Sequence, residues 1–331
     1  MDTLTKPISA PRRRTTADTV YPILLLVSVT HLLNDMMQSV IPAVYPLLKA
    51  KFGFSFAQIG LITLVFQMTS SILQPFVGRY ADRHPRPYSL AALVVIPYGQ
   101  TSIMWFAPAA LLAIGILLRI GNWYKRQLTA ATAAPVTATT AAAELPRRKI
   151  RRALLILTVL VFSKYFYIAC MTNYFTFFLM DKFAFSVQDA QYSLFAFLAA
   201  SAAGTVIGGP LGDRIGRKYV IWGSILGAAP FALMLSYAGS GGAVALAILV
   251  GLIISSAFSA IVVYATDLMP GRVGMIAGLF FGLMFGLGGL GSAFFGWLAD
   301  RTSIEFIFRV SALLPLMGII TGFLPDVERK R

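Results

Sequence analysis

The 331-residue chain is 57% hydrophobic and only 12% charged, about half the charged share of a soluble domain. With a mean hydropathy of +0.75 it carries more apolar surface than a soluble interior can hide, so lipid must be its solvent. The net charge of +15 does not indicate nucleic acid, because the basic residues fall in short runs between apolar stretches, as cytoplasmic loops do. One cysteine, Cys170, excludes an internal disulfide, and two histidines, His31 and His84, leave little for a metal centre. Composition thus predicts an all-α polytopic transmembrane bundle with the bilayer as its partner.

Residues 1–20 are polar and basic with no apolar core, and are expected to form a cytoplasmic tail rather than a signal peptide. At about 20 residues per crossing, spans are predicted near 21–48, 57–78 and 102–121. The apolar piece 88–98 is too short to cross comfortably. Residues 122–152 are an Ala/Thr/Pro-rich linker ending in Arg147, Arg148, Lys149, Arg151 and Arg152, a cytoplasmic signature. Six further spans are predicted near 153–180, 190–212, 219–238, 243–266, 274–298 and 305–325, before a short cytoplasmic tail, 326–331.

The chain repeats itself at an offset of 131 residues. Lys51-Phe52-Gly53-Phe54-Ser55 recurs as Lys182-Phe183-Ala184-Phe185-Ser186. In the same register, Gly78-Arg79-Tyr80-Ala81-Asp82-Arg83-His84-Pro85-Arg86 recurs as Gly209-Pro210-Leu211-Gly212-Asp213-Arg214-Ile215-Gly216-Arg217. A weaker third copy, Gly296-Trp297-Leu298-Ala299-Asp300-Arg301, follows a later span. Two related halves are implied, and they are unequal. The turn at 79–87 and the linker are both basic, so an even number of crossings should separate them, yet 88–121 supplies one good span. The first half, 21–121, is therefore expected to be truncated and the second, 153–325, to be a complete six-helix bundle.

Polar residues inside spans are costly and mark function. His31, Asn34, Asp35 and Gln38 share one helix face by their spacing of three, four and seven. They are substrate contacts or proton carriers, or else an interhelical hydrogen-bond cluster. Asp35 is the natural proton site, since desolvation raises a carboxyl pKa. Gln67, Ser70, Ser71 and Gln74 repeat the pattern in the second span. Lys164, beside Tyr165 and near Tyr167 and Asn173, offers charge to an anion, or else snorkels to an interface. In the paired turn the glycine (Gly78, Gly209) permits close helix approach. The aspartate (Asp82, Asp213) can meet a helix N-terminus or an arginine and hold a cytoplasmic gate. The glycines of 274–298 are expected to serve packing. No nucleophile–base pair or phosphate loop stands out, so an enzyme is not expected.

The repeated turn, continued by Lys218, resembles the signature loop of major facilitator superfamily transporters. HLLNDMMQSVIPAVYPLLKAKF, FSKYFYIA, GTVIGGPLGDRIGRKYVIWGSILG and SAFSAIVVYATDLMPGRVGMIAGLFFG make the chain similar to the superfamily's bacterial fosmidomycin-resistance branch. The resemblance implies two pseudo-symmetric bundles and proton-coupled export of a small, anionic drug-like compound such as fosmidomycin. Antiport would proceed by alternating access in a bacterial inner membrane, with both termini cytoplasmic, a monomeric chain, no cofactor and only the proton gradient. Asp35 would exchange the proton, with His31, Asn34, Gln38 and Gln67 as one wall and Lys164, Tyr165, Tyr167 and Asn173 as the other. The turns formed by Gly78, Asp82, Arg83 and Arg86, and by Gly209, Asp213, Arg214, Gly216, Arg217 and Lys218, would govern cytoplasmic closure. Family members have twelve helices; here PYSLAALV runs straight into VIPYGQTSIMW, so about three helices of the first half are missing near residues 93–95. Two alternatives stay open: a non-transporting, internally deleted membrane protein, and a facilitator of another small organic solute.

Overall fold

The computed structural model describes residues 40–83, 146–269 and 272–325, which belong to one compact unit, Gln38–Arg86 with Val136–Arg331. Of a second unit, Met1–Met37 with Pro87–Pro135, only positions 26, 29, 115 and 119 are described, all four helical. His31, Asn34, Asp35, Gln38 and Arg86 lie outside the described residues, as do the side chains of Ser70, Gln74, Gly78, Asp82 and Arg83.

The described part of the first span is α1 (40–52), followed by α2 (Phe56–Arg83). The second half begins with α3 (Arg147–Phe183) and continues with α4 (Val187–Ile215) and α5 (Arg217–Leu235). Next come α6 (Ser240–Ser255) and α7 (Ala257–Leu268), which form one span bent at Ser256. That hydroxyl donates back to the Ile253 carbonyl at 2.7 Å, a bond that competes with the helix ladder and bends it. The chain ends with α8 (Val273–Arg301), α9 (Ile304–Ser311) and a 3-10 helix, Leu314–Phe323. Six described segments are long and apolar enough to cross a bilayer, and all six belong to the second half. The protein is therefore a multi-pass, all-α membrane protein.

The helices outrun the predicted spans because hydropathy sees only the lipid-facing length. α3 starts at Arg147, so the basic run assigned to the linker forms its first two turns. Polar ends extend a helix past the hydrocarbon because its backbone hydrogen bonds continue into the headgroups.

The 131-residue repeat is visible in the backbone. Gly53 and Ala184, at matching positions, are both left-handed, with φ of 67° and 54°. Each loop then caps its next helix from a serine: Ser55 Oγ accepts from the Gln58 N–H and Ser186 Oγ from the Asp189 N–H, both at 3.1 Å. Gln58 Oε1 reaches back to the Ser55 N–H at 2.9 Å, completing a capping box.

Two apolar clusters divide the interior along α3. One gathers Ala153, Leu157 and Leu160 with Ile221, Ile261 and Phe280. The other gathers Tyr167, Cys170, Tyr174 and Phe178 with Phe197, Phe295 and Phe308. Close approach is bought by glycine: a Cβ on Gly204 or Gly208 of α4 would collide with the Leu252 or Ser256 carbonyl. α2 lies along α8 for much of its length.

Ala184 holds a left-handed conformation that costs an L-residue about 1–2 kcal/mol, whereas glycine at the matching Gly53 holds it freely. Ala184→Gly is expected to stabilise the protein by about 0.5–1 kcal/mol after the added unfolded-state entropy. A raised thermal midpoint in detergent checks this; a lowered one would show that the turn is unstrained.

Candidate functional site

α2 docks on the glycine-rich face of α8. Ser71 Oγ donates to the Gly282 carbonyl at 2.6 Å. Gln67, a predicted wall residue, lies against Gly288, where a Cβ would come within 2.5 Å of its Oε1. Gly60 faces the Ser292 carbonyl and Gly296 the Phe56 carbonyl, both too near for any side chain. The glycines of this span thus pack, as their spacing suggests.

Asn173 joins the halves. Thr63 Oγ1 on α2 donates to Asn173 Oδ1 at 2.9 Å, and Tyr45 OH on α1 lies 2.5 Å from the same threonine oxygen. A threonine hydroxyl has one hydrogen, so the tyrosine must donate. Asn173 Nδ2 completes the chain on the Ala169 carbonyl at 2.8 Å. All three side chains are buried, and one satisfied network spans α1, α2 and α3.

Lys164 is residue 18 of the 37 in α3, so roughly 25 Å of helix lies on either side of it. Its side chain is 1% exposed. Snorkelling is excluded, since the lysine stem spans only about 6 Å. It sits between the two apolar clusters, Leu160 and Val161 belonging to one and Tyr167 to the other. Its Nζ donates to the Ser255 carbonyl at a long 3.4 Å and lies 5.2 Å and 5.5 Å from the ring centroids of Tyr165 and Phe258. Among the described residues no carboxylate pairs with it.

The expected second-half wall is therefore divided. Lys164 and Tyr165 address the bend between α6 and α7, Tyr167 enters the apolar cluster around Cys170, and Asn173 addresses α2. Nine residues of helix separate Lys164 from Asn173, which puts them on opposite faces.

In the second-half turn, Gly216 takes φ 99°, open to glycine alone, and lets α4 stop and α5 start without a loop. Asp213 pairs with Arg217 at 3.5 Å, and Arg217 also pairs with Asp267 at the end of α7. Lys218 Nζ donates to the Leu324 carbonyl at 2.6 Å, while Arg214 is exposed and Gly209 half-buried. Asp267 was not singled out by sequence reasoning, although its position beside a Pro-Gly-Arg turn was a signal for a helix-end contact. Tyr45 and Thr63 also escaped it. Tyr45 continues the Gln38 stripe by seven residues, and Thr63 precedes Gln67 by four.

A bundle of apolar helices with a lysine buried at the middle of its longest helix and polar ties between its halves fits a membrane transporter. The sequence matches the Major Facilitator Superfamily over residues 27–157 and again over 154–331, and the chain belongs to that family. It is 44% identical to the fosmidomycin resistance protein of Escherichia coli (strain K12), with 98% of each chain covered. It is 32% identical to an uncharacterized MFS-type transporter, YfnC, of Bacillus subtilis (strain 168), again over 98% of each. The Escherichia coli fucose:proton symporter shares the fold, with a TM-score of 0.53 at 13% identity over 92% of this chain and 99% of that one. Relatives and fold are those of transporters, not enzymes. The first alignment is 400 residues long against a chain of 331, so at least 69 positions of that relative, the difference between the two, face no residue here. Since both chains are covered almost end to end, nearly all of those positions lie inside the alignment.

Thr63→Val should leave the Tyr45 hydroxyl and the Asn173 carbonyl without partners and destabilise by about 1–3 kcal/mol. Tyr45→Phe, which removes its own donor and strands no other donor, should cost about 0.5–1.5 kcal/mol. Thermal midpoints in detergent would separate the two; equal losses would mean that the network is not the tie.

Proposed function

We propose that the chain exports a small anionic, drug-like compound such as fosmidomycin in exchange for protons, by alternating access. The observation that carries the reading is Lys164: a cation buried at the centre of α3, flanked by two aromatic faces and one distant carbonyl. An ammonium in that setting costs several kcal/mol unless a negative charge joins it, so an anionic substrate is the natural counter-charge. The 44% identity to a fosmidomycin resistance protein supports the same class. Asp35 carries the proton, with His31, Asn34, Gln38 and Gln67 as its neighbours in the path. Tyr165 stands beside Lys164, while Tyr167 and Asn173 support the helix that bears them. The turns at Asp82 and Asp213, with their glycines and basic residues, act at cytoplasmic closure. The basic ends of α3 and of the α4–α5 turn favour the cytoplasmic side, with both termini there and the monomeric chain in the inner membrane. No cofactor is needed beyond the proton gradient.

A second reading has its own observation. The 69 or more unmatched positions equal about three crossings, in keeping with the three helices that the sequence reading finds missing from the first half between its basic turn and its last span. Such a chain is inserted yet transports nothing.

The test is survival on fosmidomycin of an efflux-deficient bacterium expressing this chain, with Asp35→Asn and Lys164→Ala compared at equal membrane abundance. Resistance that falls about tenfold or more in each variant is expected. Resistance untouched by Lys164→Ala would remove the anion role, and sensitivity with protein in the membrane would favour the second reading.

A further inference from the structure

The third copy of the repeated motif does at the far end of the molecule what the sequence led one to expect of the basic turns. Asp300 stands in the last turn of α8, and its two carboxylate oxygens accept from two backbone N–H groups in the first turn of α2. Oδ1 takes the Phe56 N–H at 2.9 Å and Oδ2 the Ala57 N–H at 2.8 Å. A helix leaves its first N–H groups unpaired and carries partial positive charge at that end, so a carboxylate placed there is held by both.

The ends concerned are opposite to the basic ones. α3 starts with Arg147 to Arg152 and finishes at Phe183, on the side of the K-F-x-F-S loops from which α2 and α4 set out. α8 starts beside Arg272 and finishes at Asp300. On this side Gly60 and Gly296 bring the two helix backbones together, and Tyr174 OH of α3 donates to the Ser292 carbonyl at 2.7 Å. A cavity of about 470 Å³, lined by Phe56, Phe177, Met180, Asp181, Thr302 and Ser303 among others, opens beside the clasp. The Asp300 side chain itself is exposed, so water can replace its partners when the helices part.

We propose that Asp300 is a latch that holds the outer end of the α2–α8 seam closed, and that its release is a step in opening the path to the outside. This rests on the alternating-access reading above. A charge at the rim suits such a latch. Buried, it would lock the seam; at the rim it biases a two-state closure by a small differential free energy, which is what a reversible gate needs.

The experiment follows one buried probe. Ser292 is fully buried on the seam and its hydroxyl has no partner, so Ser292→Cys, in a chain whose Cys170 is changed to serine, reports seam opening. Intact cells are treated with a membrane-impermeant maleimide in the absence of any drug. Asp300→Ala is expected to speed labelling of the probe roughly fivefold to tenfold. Asp300→Asn, which keeps one acceptor oxygen without the charge, should fall between, and it carries the comparison if the alanine variant does not reach the membrane. Labelling no faster than in the parent overturns the latch. So does an equal acceleration at native Cys170, which lies in the core beside Ile307, because that would report a loosened bundle. Because no drug is present, lost export with the expected labelling rates would count against the transport reading and leave the latch standing.

Discussion

The contact between α2 and α8 is the constraint on which the described architecture turns. Lipid offers no hydrophobic drive for one apolar helix to seek another, so helices in a membrane associate through close backbone approach and polar ties. Both are concentrated on this seam. Gly60, Gly288 and Gly296 remove the side chains that would hold the backbones apart. Ser71, Thr63 and the first-turn N–H groups of α2 then find acceptors in the second half, on Gly282, Asn173 and Asp300. Without the glycines the ties would not reach; without the ties the glycine face would be one lipid-facing surface among several. α1 is tied in through Tyr45 and through Gln191 of α4, whose amide donates to the Ala43 carbonyl at 2.6 Å.

The second half is built differently within itself. Its six crossings close on two apolar clusters, and among the described residues its buried and half-buried charged side chains each have a close partner, apart from one. The Tyr45–Thr63–Asn173 network is satisfied at each step, and Arg217 is held between two carboxylates. Lys182 meets Glu305 at 2.9 Å and also the Ser236 carbonyl. Among the described residues Lys164 has a long bond and two ring faces and no carboxylate. Buried polar groups are normally paired, and a group that is not calls for an explanation in function. Lys164 sits between the two clusters, at the middle of α3.

Much of this was legible in the chain. The six crossings of the second half follow from hydropathy, and the unbroken 131-residue register marked the two K-F-x-F-S loops as counterparts, while the left-handed residues Gly53 and Ala184 and the serine caps in those loops were not singled out. That information is local: turn chemistry and periodicity are written within a few residues. Partners across helices are not. The family resemblance implied one wall of Lys164, Tyr165, Tyr167 and Asn173, but the 180° between Lys164 and Asn173 sends them to different neighbours. Asp300 was visible as a third copy of a motif, yet nothing along the chain says that it meets a residue 244 positions earlier. Angular position on a helix can be read from sequence, whereas the identity of the facing helix depends on topology.

That separation has a consequence in time. At about 5–20 residues per second, the ribosome finishes α2 roughly 10–50 s before it makes the carboxylate that caps it. For most of that interval the Gly282 carbonyl on which Ser71 settles and the Gly288 against which Gln67 packs have not been synthesised. A hydroxyl and an amide in hydrocarbon each carry a desolvation cost until paired. The nascent first half is thus a state that the cell must shelter, and its lifetime is set by the translation rate of the second half. Synonymous codons between residues 84 and 300, which leave the finished protein unchanged, therefore bear on how much of it is assembled.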